Sequence, residues 1–384
     1  MPSPFPSSCY YIDTYRYQYF KAGIDLSVTL QDGPKVMDNT HKEPHLNITI
    51  DENKIIDGAK EIIKSIRPTW PVDELLHKIF TNGLTNKLIG VWCPDHYNEM
   101  VLIRVYGHKT DLLIDRKDET RNIRILNKAG YTHSIYATFN NGLAYEFVEG
   151  DTLTTETVRS PEVFALIAKR MAEMHRLEID HPDISKHSII WEKTEKFMHL
   201  MPKKFSCPEK QKRFEALIQP YGVLKEEYLN LKEMLSSLNS PVVFAHNDLL
   251  LSNVLYNRRE NIVTFIDYEY TGYNYQAFDI ANHFAEFAGL DICDYSLYPD
   301  EDLQKAWLTI YLRQYNNSDQ ISEKLVNDLY VQVNKFVLLS HFFWGCWALI
   351  QSQHSHIDFD FLQYAALRFN EYFKQKDQLF KLEK

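Results

Sequence analysis

The sequence predicts an α+β fold in two unequal lobes, a small antiparallel β-sheet lobe over residues 51–149 and a larger, mainly helical lobe over 150–384, joined near Glu149-Gly150. Three observations predict it. Short apolar runs separated by turn residues fill the stretch from Leu75 to Val148. From Ser160 onward apolar residues recur at helical spacing instead. The one return to strand-like pattern, at 242–244, 254–256 and 263–266, brackets a cluster of carboxylates and amides.

In chain order, residues 1–50 mix Pro, Ser, Tyr and Asp without periodicity and are expected to form a variable or poorly ordered extension. Ile55, Ile56, Ala59, Ile62, Ile63 and Ile66 form one face of a helix that ends where Pro68 disfavours its continuation. Residues 75–80, 87–93 and 100–106 read as strands, with Asn82-Gly83 turning between the first two. Residues 115–129 read as a helix stopped by Gly130. Asn140-Asn141-Gly142 between 135–139 and 143–148 is a hairpin signal. In the second lobe, Val163, Ile167, Met171 and Met174 share a helical face, and 224–238 and 303–314 are further helices.

Charge and cysteine content narrow the function. A net charge of −10 speaks against non-specific nucleic-acid binding, which needs Lys and Arg to neutralise phosphates. The five cysteines are scattered without CxxC spacing, so neither a disulfide framework nor a zinc site is expected, and a cytoplasmic location fits. The N-terminal MPSPFPSSCYYIDTY lacks a basic region followed by an apolar one, and the most apolar stretch, 337–350, is short of the roughly 20 residues of a membrane span. Nothing in the sequence decides between a monomer and a homodimer.

The chemistry is concentrated in two segments. FAHNDLLLSNVLYN holds His246-x-Asp248-x-x-x-x-Asn253, and VTFIDYEY sets Asp267 directly after an apolar run. Singly, these are ordinary turn formers. Together they suit phosphoryl transfer, in which a carboxylate (Asp248) orients a hydroxyl and accepts its proton. Oxygen donors (Asn253 and Asp267, with Glu269 assisting) would hold Mg²⁺ beside the phosphates of ATP. This spacing is that of the catalytic and metal loops of kinases.

HNDLLLSNVLYN followed by IDYEYTGYNYQAFDIANHFAEF resembles the choline/ethanolamine kinase family, over about residues 52–384. The resemblance implies a two-lobed protein-kinase-like fold, ATP and Mg²⁺ as cofactors, and an amino alcohol as small-molecule substrate. It also implies that Asn82, Gly83, Thr85 and Asn86 line the phosphates. Arg104, in VLIRVYG, is expected to replace the usual strand lysine and to pair with Glu119, and residues 146–148, from Glu146 to Val148, to face the adenine. Glu286 is expected to meet the substrate's cation, with Trp344, Trp347 and Tyr364 forming aromatic walls, although tryptophans at i, i+3 on an apolar helix are more often core. His283 is expected to be structural.

Choline kinases typically carry Trp where Phe287 follows Glu286, and EFAG resembles ethanolamine kinases. The expected reaction is phosphorylation of ethanolamine to phosphoethanolamine, on the way to phosphatidylethanolamine. The alternatives are a choline, dual or aminoglycoside kinase and, in another class, an inactive pseudokinase acting as a binding module.

Overall fold

The computed structural model describes residues 35–37, 43–80, 86–94, 96–107, 112–290, 292–355 and 357–383. The first described element is β1 (Lys35–Met37), paired with a strand of the C-terminal lobe, and the N-terminal lobe contains β2 (His45–Leu46), α1 (Ile55–Ile66), β3 (Leu76–Phe80), β4 (Asn86–Trp92), β5 (Val101–Tyr106), α2 (Arg116–Lys128), β6 (Ile135–Phe139) and β7 (Gly142–Glu146). After it come β8 (Asp151–Thr152), α3 (Pro161–His175), β9 (Glu178–Asp180), α4 (Ile190–Leu200), α5 (Pro208–Leu217), α6 (Tyr221–Ser236) and β10 (Val242–Ala245). The chain ends with β11 (Val254–Asn257), β12 (Ile262–Phe265), β13 (Gly272–Tyr275), α7 (Gln276–Ala285), α8 (Glu301–Asn316), α9 (Glu323–His354) and α10 (Phe361–Phe380).

Six strands form the N-terminal sheet in the order β2-β6-β7-β5-β4-β3. Ile89, Val91, Ile103 and Val105 cluster with Ala59, Ile62 and Ile63 of α1, all of them buried. That periodicity is why α1 forms, and it stops just before Arg67-Pro68 as expected. At the hairpin, a Cβ on Gly142 would lie 2.1 Å from the Arg104 carbonyl, so only glycine lets β7 approach β5 this closely. The predicted phosphate turn, with Asn82, Gly83 and Thr85, lies outside the described residues; β3 and β4 on either side of it pair antiparallel, Phe80 opposite Leu88.

The sheet reaches upstream of Asp51, where the sequence reading begins the fold. β2 runs parallel to β6. The Asn141 side chain donates to the Ile50 carbonyl at 2.9 Å and accepts from its N–H at 3.0 Å, while the Asn140 amide donates to the Asn47 and Thr49 side chains. Leu46, Ile48 and Ile50, at alternate positions, also pack on the N-terminal apolar cluster, so hydrogen bonds and a short alternating apolar face dock this segment together.

In the C-terminal lobe α9 is the central helix, packed against α10, α7, α8, α4 and α6. It is long and apolar enough to cross a membrane, but 94% of its most apolar window is buried inside the fold. The strands here are more numerous than the sequence reading allowed. β10 pairs with β13, and β11 lies between β12 and β8. β13, GYNY, escaped notice because its buried Asn274 and its glycine lack the β-branched signature of a strand. The loop 246–253 joins β10 to β11 and the loop 266–271 joins β12 to β13, so the two pairings lay the loops side by side.

Candidate active site

Backbone geometry shapes both loops. Asn247 and Asp267 adopt left-handed conformations, with φ of 68° and 64°, which Asn and Asp tolerate better than most residues. The Asn247 amide donates to the Tyr270 carbonyl at 3.0 Å, and its oxygen accepts from Asn274 at 2.7 Å, stitching one loop to the other. Asp279 of α7 accepts from the N–H groups of His246 (2.9 Å) and Asn247 (2.6 Å) and lies 2.9 Å from His175 Nε2. Although burial pushes the Asp279 carboxyl up, the His175 hydrogen bond and the two nearby histidines hold it below the ordinary range. The His246 ring is tied at both ends: Nε2 donates to the Ile266 carbonyl at 2.9 Å and Nδ1 accepts from the Asp248 N–H at 3.3 Å.

Asp248, Asn253, Asp267 and Glu269 converge on one cleft of about 450 Å³ between the lobes. Burial raises the Asp248 carboxyl well above the usual range, and Asp267, Glu269 and Glu286 add to this while Arg368 opposes it. The Asn253 amide donates to the Asp248 carbonyl at 2.9 Å, which leaves its side-chain oxygen as the atom able to ligate. Carboxylate oxygens of Asp267, Glu269 and Glu119 lie within 4.8 Å of one another. So dense a set of hard oxygen donors fits a magnesium ion.

Two arginines hold this acidic cluster. Arg104 pairs with Glu119, as expected, and also with Asp267 at 2.7 Å. Arg116, which the sequence reading passed over, bonds Glu119 at 2.9 Å, Glu269 at 3.1 Å and the Asn86 side-chain oxygen Oδ1 at 3.2 Å. Asn86, Glu146 and Val148 line the cleft, whereas Glu119 is not among the described lining residues.

At the other end, Trp344, Trp347 and Tyr364 line the same cleft although each is at most 6% exposed, so these residues are core and cleft wall at once. The Trp344 indole donates to Asn282 at 2.7 Å, and Asn282 donates in turn to the Asn247 carbonyl at 3.3 Å, linking the aromatic wall to the 246–253 loop. The Trp347 indole donates to the Tyr270 hydroxyl at 2.9 Å, and Tyr270 is a further wall residue. Glu286 is buried and ion-paired with Arg368, and it is Arg368 that lines the cleft. Phe287 is fully buried against the rings of His283 and Phe284 and is not among the described lining residues of the cleft. His283 is also buried, hydrogen-bonded through Nδ1 to the Leu249 carbonyl at 3.1 Å.

Residues 77–373 match the choline/ethanolamine kinase family. The chain belongs to that family. It is 46% identical to human "ethanolamine kinase 1" over 343 residues, 88% of this chain and 76% of the relative, and 42% identical to the Drosophila melanogaster ethanolamine kinase over 91% of this chain and 83% of the relative. Its structure is similar to that of an ethanolamine kinase from Plasmodium vivax, with TM-score 0.75 and 31% identity over 85% of this chain and 90% of that one. A choline kinase from Cryptosporidium parvum follows at TM-score 0.70 and 27% identity, covering 84% and 96%. The two-lobed architecture is thus that of the choline/ethanolamine kinase family. Of the residues missed from sequence, Arg368 follows Tyr364 by four positions on α10, a spacing that puts both on one face. Asp279, a charge inside the apolar run AFDIANHF, signalled that it must have a buried partner.

Proposed function

We propose that this chain is an ethanolamine kinase that transfers the γ-phosphoryl group of ATP to the hydroxyl of ethanolamine. The observation that carries the reading is the meeting, in one cleft, of the Asp248 carboxylate and its acidic neighbours with the wall of Trp344, Trp347 and Tyr364. The relatives named as ethanolamine kinases support the choice of acceptor. A pseudokinase would have no need of Asp248, Asn253 and Asp267 converging in this way.

In the proposed mechanism the N-terminal lobe binds the nucleotide. Arg104, oriented by Glu119 and Asp267, engages phosphate oxygens, together with Asn82, Gly83, Thr85 and Asn86, and the backbone from Glu146 to Val148 borders the adenine. Asn253, Asp267 and Glu269 would hold Mg²⁺, which when bound neutralises charge on the transferring phosphate. The C-terminal lobe holds the amine against Trp344, Trp347 and Tyr364, so that its hydroxyl reaches Asp248. Asp248 orients that hydroxyl and takes its proton as the oxygen attacks the γ-phosphorus and the bond from that phosphorus to the bridging oxygen breaks, releasing ADP. Phosphoethanolamine leaves as a precursor for phosphatidylethanolamine. A reducing, cytoplasmic setting belongs to the same reading, with Cys93, Cys207, Cys293 and Cys346 all free thiols.

The decisive assay measures phosphorylated product from ethanolamine, monomethylethanolamine and choline. Ethanolamine is expected to have the highest kcat/KM, and an equal or higher value for choline overturns the assignment. Asp248→Asn is expected to lower kcat by about a thousandfold while ATP binding, measured calorimetrically, persists; near-normal turnover would remove Asp248 from the base role. Mg²⁺ added without substrate should raise Tm, and do so less in Asp267→Asn.

A further inference from the structure

One side chain in the nucleotide half of the cleft carries a polar atom that the fold leaves unmatched. His133, two residues before β6, is 6% exposed, lines the cleft and stacks on Tyr145 of β7 with ring centroids 4.4 Å apart. It adjoins the segment placed beside the base: the Glu146 N–H donates to the Ser134 carbonyl at 2.9 Å, and the Ser134 N–H donates to the Glu146 carboxylate at 3.2 Å. His133 Nδ1 lies 3.0 Å from the Thr132 hydroxyl, whereas the buried Nε2 has no hydrogen-bond partner among the described residues. A buried polar atom in that state costs stability unless a ligand meets it.

The hydrogen bonds behind the ring decide which nitrogen carries the proton. The Tyr268 hydroxyl gives its proton to the Phe265 carbonyl at 2.7 Å, so in the hydrogen bond between Tyr268 and Thr132 it is Thr132 that donates. The Thr132 oxygen is then left to accept, and the Nδ1–H of His133 is its donor. Burial, and after it the charge of Arg104, keeps the ring neutral, which leaves Nε2 a bare acceptor.

We infer that His133 is a specificity-determining residue for the nucleotide, its Nε2 accepting a hydrogen bond from the exocyclic amino group of adenine. This deepens the ATP-dependent kinase reading given above and rests on it. A base with a 6-oxo group sets a lone pair against the bare Nε2 and leaves two acceptors facing each other unmatched. The opposite tautomer would reverse that preference, so Thr132 is a positioning residue that acts through His133.

Three triphosphates isolate the contact: ATP, purine riboside triphosphate, which lacks only the 6-amino group, and ITP, which carries oxygen in its place. The preference in kcat/KM for ATP over purine riboside triphosphate should be about tenfold smaller in His133→Leu than in the unaltered protein. Thr132→Val keeps the ring but frees it to carry its proton on Nε2, and should reduce the preference for ATP over ITP by about tenfold. A merely structural role lowers activity with all three nucleotides alike. Unmoved ratios in His133→Leu, or an unchanged ATP-to-ITP ratio in Thr132→Val, therefore overturn the inference. If His133→Leu does not fold, as its Tm will show, Thr132→Val decides the question. Failure of the functional reading looks different: the unaltered protein would phosphorylate no amino alcohol. Calorimetric binding of ADP, IDP and purine riboside diphosphate would still report on His133.

Discussion

Arg104 shows how one side chain can serve structure and chemistry together. It is 6% exposed on β5 and binds carboxylates from two directions, Glu119 on α2 and Asp267 from the loop after β12. The partnership with Glu119 could be expected from sequence, because an arginine on a strand and a carboxylate on the following helix are near neighbours. Asp267, 163 residues away, became a partner only when the lobes closed on each other. Arg104→Met leaves Asp267 and Glu119 undercompensated and should destabilise the fold by about 3 kcal/mol. Arg104→Lys keeps the charge but cannot reach both carboxylates in a fork, so it should cost less stability and still raise KM for ATP more than KM for the amine. Thermal unfolding and initial-rate kinetics on both variants check this; equal changes in the two KM values would place Arg104 outside the nucleotide subsite.

At the scale of elements, α7 organises the 246–253 loop, and none of its residues is among the described lining of the cleft. All ten of its residues are buried, and its one acidic side chain, Asp279, takes hydrogen bonds from two consecutive backbone N–H groups of that loop. Asn282, one turn later, joins the loop to Trp344 of α9. Asp279→Asn keeps the shape but replaces charge-assisted acceptors with a weaker amide. Its expected effect is a fall in Tm and a loss of kcat of about ten- to a hundredfold with a much smaller change in either KM, read from steady-state rates. An unaltered kcat would show that the loop holds its conformation without this anchor. The amphipathic helices and the N-terminal hairpins could be read from apolar period and turn residues. β9 and β13, each of three or four residues, could not, because so short a strand exists only by virtue of its partner.

Across the whole molecule, buried histidines link stability to acidity. Burial, and after it the charge of Arg104, lowers His133 to about 3, and burial lowers His283 to about 4. The unfolded chain takes up protons on these rings from about pH 6.5 downward, while the folded chain resists until far lower pH. Their stabilising contribution is therefore complete above pH 6.5 and is lost as pH falls toward 4. His283→Asn, which keeps a donor for the Leu249 carbonyl, should lose less Tm than the unaltered protein between pH 7.5 and pH 5. An identical pH slope in the two proteins would mean that His283 is not kept neutral by the fold.

The sequence by itself determined the fold class, the division into a sheet lobe and a helical lobe, and the set of Asp248, Asn253 and Asp267. Apolar periodicity and the spacing of oxygen donors are local properties that survive in a linear string. Tertiary structure alone decided which charges neutralise which. Glu286 belongs to Arg368, Glu269 to Arg116, and Asp279 to the backbone of the 246–253 loop. A buried charge has to find a partner wherever the fold brings one within reach, and sequence spacing does not measure that distance.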